Sequence, residues 1–477
     1  MKKILILILV LAMLLPCVVA CKGNGDTAET TEPVSKDSGA DTDYLDTLPE
    51  LDMEGEEFHI LITEQTKDFY IQDKFTGDVV GDATFKRNAA IEDHFDVSIN
   101  YVSRDGNASG SAAFNSAIRQ SLQADQNAYD LVLGQNYYCL SLATEGMFFD
   151  LNSSSVLDLD NTWYHDEINK YGVVNGKLWG ASGDFVISQI GWSIGLVYNK
   201  STYRDHLYEF GYDLYDLVRQ GKWTYERFYE LCTAFGDHQG NEGDMYAFHY
   251  GNAAVVAMGM GFGLEFVTQN SDGEWTAEGF YNDHLTDVYS AVHDLCYNYD
   301  PIFPSGSTTV KGPSQIDNQL FHMDYIQSLL ANPNITPFID RMGVLPMPKW
   351  DETQPNYVTY VNRTELFYIP SNVDFETSAI ITEALNQKTN EIVVPDYFGK
   401  VLQLQASQTS EDSEMLEIIR QTLHYDFAIY FTEATDYFYQ SFANSIMEGK
   451  DSMTEYWEGH KDTLEYYIGR INTEYGG

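Results

Sequence analysis

The stretch that decides the fold runs from 57 to 133, with EFHILIT at 57–63, FKRNAAIEDHF at 85–95, VSINYV at 97–102, AAFNSAIRQSL at 112–122 and YDLVL at 129–133. Phe58, Ile60 and Ile62 alternate with the period of a strand, whereas 85–95 and 112–122 space their apolar residues as helices do. The segments 97–102 and 129–133 again read as strands. Strand, helix, strand, helix, strand within about 75 residues predicts a parallel sheet with right-handed crossovers. Ligands of such sheets sit at the carboxyl ends of the strands, which here are Thr63 to Gln65 and Gly134 to Tyr138.

Further along, a second extended stretch spans 187–198. Helices are predicted over 213–220 and over 225–235, the latter behind Thr224 as N-cap. Gly and Asn mark 236–244 and 270–273 as loops, and Pro-containing segments occupy 301–313 and 333–337. From about 375 to 475 the pattern is largely helical. Its aromatics, among them Tyr430, Phe431, Tyr437 and Phe438, recur at helical spacing and read as core.

Towards the amino terminus, Lys2 and Lys3 precede an apolar run from Ile4 to Leu15 and the step Val18-Val19-Ala20-Cys21. Twelve apolar residues rise only about 18 Å as a helix, short of a bilayer's hydrocarbon core, so residues 1–20 read as an export signal. The step resembles the bacterial lipobox, which implies that Cys21 is lipidated and becomes the first residue of the mature chain. No other apolar stretch reaches 18 residues, so the anchor is expected to be lipid alone. Residues 21–53 are rich in Thr, Ser, Gly, Asp and Glu and read as a disordered acidic tether. The Lys22–Glu56 stretch spans about 100 Å when extended. Cys139, Cys232 and Cys296 are widely spaced, lack any Cys-x-x-Cys and read as small apolar residues.

Lys+Arg 27 against Asp+Glu 72 gives a formal net charge of −45, which repels nucleic acid and anionic lipid and points to a neutral or cationic ligand. Tyr 34, Phe 26 and Trp 7 make 14% of the chain aromatic, and Tyr suits amphipathic ligands. The phosphate-loop, zinc-protease, nucleophile-elbow and dinucleotide motifs are all missing. No metal or cofactor is expected. Asp237, Gln239, Asn241 and Asp244 give a loop that reads either as a polar turn or, less well, as a calcium loop, since Glu242 and Phe248 stand where a turn Gly and a bidentate Glu belong.

Several segments together resemble the extracellular solute-binding family of bacterial ABC importers that includes maltose-binding protein. They are Tyr129-Asp130-Leu131-Val132 with Glu145-Gly146 and Asp150-Leu151; Gly176-Lys177-Leu178-Trp179-Gly180; Gly195-Leu196-Val197-Tyr198-Asn199-Lys200; Gly221-Lys222-Trp223-Thr224; Met342 to Lys349; and Ile369-Pro370. One departure is Asn161-Thr162-Trp163-Tyr164, where sugar-binding relatives often carry a Pro-Trp-Trp-like step. The resemblance implies an α/β, two-lobed periplasmic-binding-protein-like fold with an interlobe cleft and a helical C-terminal tail. Lobe one is expected at 54–180 and 318–360, and lobe two at 181–317 and 361–477.

A sugar site needs aromatic faces together with planar amides, acids or guanidinium groups. At strand ends and crossings the candidates are Gln135, Asn136 and Tyr137; Asp184; Tyr250 and Asn252; Asp324 and Tyr325; and Arg363. Trp179 and Trp192 form a second rank, and Trp223 reads as core. The resemblance implies no enzyme but a monomeric, lipid-anchored receptor at the outer face of the cytoplasmic membrane. It would capture an oligosaccharide and deliver it to ABC permease subunits. An oligopeptide or polyamine is the alternative solute, and a surface glycoside hydrolase the alternative class.

Overall fold

The computed structural model describes residues 43–107, 109–123, 127–235, 246–271, 273–297, 303–304, 319–331, 341–362, 365–397 and 409–475. Cys21, the 237–244 loop and Arg363 lie outside the described residues. The strands of its two main sheets are, in chain order, β1 (Glu56–Thr63), β2 (Val97–Arg104), β3 (Leu131–Gln135), β4 (Ile194–Asn199), β5 (Tyr246–Tyr250), β6 (Phe303–Pro304), β7 (Gln319–Tyr325), β8 (Met342–Leu345) and β9 (Glu365–Tyr368).

The first sheet runs β9-β3-β1-β2. Its β1 pairs in parallel with β2 from Glu56↔Val97 to Thr63↔Arg104, and with β3 at Ile60↔Leu131 and Leu61↔Val132. The intervening helices are Val79–Phe95 and Ser111–Gln123, so the predicted strand and helix order holds. Asp78 caps the first of these through Gly81 N at 2.7 Å, a contact that offsets one of the orphan donors at a helix start. Residues 187–198 are not wholly extended, because Ser188–Gly191 forms a helical turn before β4. Thr224 does occupy the N-cap of helix Tyr225–Ala234, but its side chain makes no capping bond.

The second sheet runs β8-β4-β7-β5-β6, with β4 antiparallel to β7 and β8 and with β5 parallel to β6 and β7. This corrects the expected lobe boundary. Segment 318–360 supplies β7 and β8 to the second sheet, and the return to the first sheet is β9, which pairs antiparallel with β3 at Glu365↔Gln135. The tail expected wholly in lobe two is divided as well, since helix Phe375–Lys388 packs on Val79–Phe95 beside the first sheet. Apolar alternation shows that a segment is a strand, whereas its partner is fixed by long-range pairing that a single sequence does not display.

The chain enters the folded body at Tyr44, whose hydroxyl donates to Glu383 Oε1 at 3.0 Å and whose ring meets Trp163 edge-on at 4.9 Å. Trp163 Nε1 donates to the same oxygen at 3.1 Å, and the Tyr164 hydroxyl donates to Oε2. Burial pushes the Glu383 carboxyl above its usual range, while these donors pull it back.

Tyr430, Phe431 and Phe438 are buried as expected, whereas Tyr437 is exposed. Cys139, Cys232 and Cys296 are buried free thiols, and burial pushes the Cys296 thiol up to about 12. Because the thiolate is the reactive form, a thiol reagent is expected to leave all three unlabelled in the native protein and to label them in denaturant. Native labelling of any of them at neutral pH would refute the packing role.

Candidate cleft between the two sheets

The crossing segments run side by side, with bridges at Ala181↔Phe367 and Ser193↔Val361. They join the carboxyl edge of the first sheet, at Thr63 and Gln135, to the edge of the second, where Ile194 pairs with Tyr325. Ligands of open α/β sheets collect at such edges.

At the second edge, the turn Ser188–Gly191 ends on Trp192, whose ring stands edge-on to Tyr325 at 5.3 Å and 79°. Backbone bonds fix this pair, from Asn362 N to Trp192 O at 3.1 Å and from Ile326 N to Ser193 O at 2.9 Å. Asn362 Nδ2 donates to the Tyr325 hydroxyl, and the Tyr360 hydroxyl donates to Asn362 Oδ1 at 2.6 Å. Tyr439 lies 6.5 Å from Tyr360, and its hydroxyl accepts from Gln440 Nε2 at 3.0 Å. Trp192, Tyr325, Asn362 and Gln440 are only half-buried, so two aromatic rings and two amides stand partly open on one wall. Asn252 is also half-buried, and its Nδ2 donates to exposed Asn444 Oδ1 at 2.6 Å.

At the first edge, exposed Gln65 donates to Asp105 Oδ1 at 2.8 Å and accepts from Gly106 N at 3.1 Å. A Cβ on Gly106 would sit 2.5 Å from Thr63 and 2.7 Å from the Tyr138 hydroxyl, so this turn admits only glycine. Beside it lies Glu365, 1% exposed. Its Oε1 accepts from Thr63 at 2.6 Å and Thr66 at 2.9 Å, and its Oε2 from Ser188 at 2.7 Å and Tyr70 at 3.4 Å. Burial raises its pKa, opposed by the hydroxyl donors.

The structure brings Trp192, Tyr325 and the lobe-two end of the crossing together, and it gives the other candidates different surroundings. Gln135 is 2% exposed and lies beside Glu365 rather than in the open edge. Asn136 is buried and donates to the carbonyls of Ile429 at 2.6 Å and Tyr430 at 3.0 Å. With Tyr137 it lines a separate cavity of about 240 Å³ against Phe431, Thr432 and Arg470 of the tail. Tyr250 is buried on the Cys296 carbonyl, at 3.3 Å. Asp324 is fully buried, its Oδ1 accepting from Tyr325 N at 2.7 Å and its Oδ2 lying 3.6 Å from His322 Nε2. Trp179 donates to the Tyr475 carbonyl at 2.9 Å and packs beneath the tail.

Asp184 is 4% exposed, held by His165 Nε2 at 3.2 Å and Asn390 Nδ2 at 2.7 Å. Both partners lose a buried acceptor in Asp184→Ala, which is expected to cost about 1–3 kcal/mol of stability while leaving ligand affinity unchanged. Calorimetric melting and titration of the same variant separate the two effects. A weakened ligand with an unchanged melt would return Asp184 to the cleft.

Sequence reasoning missed Asn362, Gln440 and Asn444. Asn362 adjoins Arg363 and shared its signal, whereas Gln440 and Asn444 sit four residues apart in a tail read only as core.

The model of the bacterial extracellular solute-binding protein family matches residues 79–292. Among curated proteins none matches this chain in sequence. Solved structures share the fold. The sugar-binding protein MalE of Xanthomonas citri aligns with a TM-score of 0.58 at 10% identity, over 87% of this chain and 98% of its own. The substrate-binding protein Lmo0181 of Listeria monocytogenes, in complex with cycloalternan, gives 0.54 at 13%, over 87% and 99%. A solute-binding protein of Thermotoga lettingae bound to α-D-tagatose gives 0.54 at 12%, over 87% and 100%. These matches bear out the resemblance and the two-lobed periplasmic-binding-protein-like fold.

Proposed function

We propose that this chain is the substrate-binding component of a bacterial ABC importer and captures a carbohydrate between its two lobes. The observation that carries this reading is the wall of Trp192, Tyr325 and Asn362, which offers ring faces to sugar C–H patches and an amide to hydroxyls. The sugars held by two of the fold's neighbours support it, and the net charge of −45 disfavours a polyanion. Solute contacts to both lobes stabilise the closed form, and permease subunits receive the load. No bond is made or broken.

A thermal-shift panel of oligosaccharides, oligopeptides and polyamines tests the solute. A solute at 100 times its Kd adds about 2.7 kcal/mol to the folded state, a rise of several degrees. Sugars are expected to give that rise; a response confined to peptides or polyamines overturns the carbohydrate reading. Release of reducing ends from the same oligosaccharides would instead show a hydrolase.

The reading includes a lipid anchor at Cys21 and a monomer, one chain completing the cleft. Cys21→Ala is expected to leave a folded protein that no longer fractionates with membranes after a high-salt wash, because acyl chains supply the attachment. Retention of that variant on membranes would remove the anchor from the reading. A stable dimer in sedimentation at micromolar concentration would remove the monomer.

A further inference from the structure

We propose that the cavity between the turn after β3 and the C-terminal tail is a second binding site, apart from the Trp192–Tyr325 wall, and that it takes an organic ammonium group. The cavity holds about 240 Å³, with Tyr137 on one side and Phe431, Glu433, Tyr467, Arg470 and Tyr475 of the tail on the other. That is somewhat below the roughly 300–1,000 Å³ of pockets for whole ligands, so it suits a head group or a small amine.

Its frame is fixed from both sides. Asn136 donates to the carbonyls of Ile429 and Tyr430, the Tyr430 hydroxyl donates to the Gly180 carbonyl, and the Tyr475 ring meets Phe431 edge-on at 5.1 Å. Within the tail, the Thr435 hydroxyl donates to the Phe431 carbonyl at 3.0 Å and Tyr437 N to the Thr432 carbonyl at 2.8 Å. These bonds hold two consecutive residues, Asp436 and Tyr437, at φ 53° and 57°, a left-handed region that residues other than glycine seldom visit. Such strain persists where the surroundings over-determine it, and it collects at ligand-binding places. Here it closes the turn that carries Glu433 to the cavity.

The chemistry of the lining selects the occupant. The hydroxyls of Ser141, Thr144 and Thr432 already commit their hydrogens to the carbonyls of Tyr138 at 2.9 Å, Ser141 at 2.8 Å and Ile429 at 2.5 Å. Arg470 Nε and Nη2 donate to Glu474 Oε1 at 2.8 and 2.6 Å, so those two charges are paired along their own helix. Glu433 remains. Among the described residues no hydrogen bond or ion pair reaches its exposed carboxylate, and desolvation raises its pKa with no cation to oppose the shift. The free capacity of the cavity is therefore that of acceptors and aromatic rings. An anion would find no free cation there, whereas an ammonium group pairs with Glu433 and gains cation–π attraction from Tyr137, Tyr467 and Tyr475. The inference holds whichever solute the Trp192–Tyr325 wall takes.

Titration calorimetry of the full folded chain with choline, putrescine, the glucosamine dimer of chitosan and its N-acetylated counterpart tests it. At least one ammonium probe is expected to bind. Choline or putrescine binding identifies a free amine as the occupant, and binding confined to the glucosamine dimer identifies an amino sugar. Glu433→Gln keeps the shape and removes the charge, so it is expected to weaken that probe about tenfold while leaving any affinity for the uncharged N-acetylated dimer unchanged. Tyr467→Leu removes a ring and is expected to weaken the probe about 2- to 5-fold. Should Glu433→Gln fail to fold, Tyr467→Leu carries the comparison alone. Absence of binding by every ammonium probe at millimolar concentration, or equal affinity in parent and variants, overturns the site.

Discussion

Trp223→Ala is expected to lose about 3–5 kcal/mol of folding stability, the range for emptying a large buried ring. Trp223 is fully buried, between Phe228 at 6.1 Å and Phe321 at 6.0 Å. Its indole N–H donates to the Pro346 carbonyl at 3.0 Å, and its backbone carbonyl accepts from Lys349 N at 3.1 Å. The residue therefore joins the turn before helix Tyr225–Ala234 to the chain leaving β8 and covers the second sheet through Phe321. Truncation removes the transfer energy of the ring, leaves a cavity and orphans a carbonyl. Guanidinium unfolding followed by far-ultraviolet dichroism measures the change as a fall in midpoint. A loss under about 1 kcal/mol would mean that the site collapses freely or that Trp223 is not core.

Tyr325→Ala carries the largest expected effect on binding. Tyr325 is half-buried, braced by Trp192 on one side and by the Asn362 amide at its hydroxyl. Its removal takes about 1–3 kcal/mol of stacking and hydrogen bonding from the complex, roughly 5- to 150-fold in affinity. Only half-buried contacts to Trp192 and Asn362 are lost, so the melting temperature should fall by no more than a few degrees. Tyr325→Phe keeps the ring and frees the Asn362 amide, and its loss should be clearly smaller. Calorimetric titration with the best sugar of the thermal-shift panel gives both numbers. Unchanged affinity in the alanine variant, or a collapsed melt with normal affinity, would move the binding site away from this wall.

The first sheet was legible because each of its parallel strands carries a local signal and each connection is a helix of ordinary length. The 318–360 segment was misplaced for a different reason. β7 and β8 look like strands in isolation, but their membership is decided by which edge of β4 is unfilled, and that is information held elsewhere in the chain. The site divides in the same way. Tyr325 and Trp192 were visible as aromatics beside a strand end and a crossing. Asp184 and Asp324 had the right chemistry at a suitable place, yet His165 with Asn390, and His322, draw them inward. Gln440 and Asn444 lie on the less buried side of a helical region whose other face is core, a contrast that is readable only once the helix register is known.

The clasp of Tyr44 on Trp163 and Glu383 fixes where a leash would be moored. Glu383 belongs to the helix that packs beside the first sheet, so any pull from an upstream anchor is delivered to that lobe. With the proposed lipid anchor at Cys21, the moored lobe would bear the load of the leash, and capture would be a swing of the other lobe towards it.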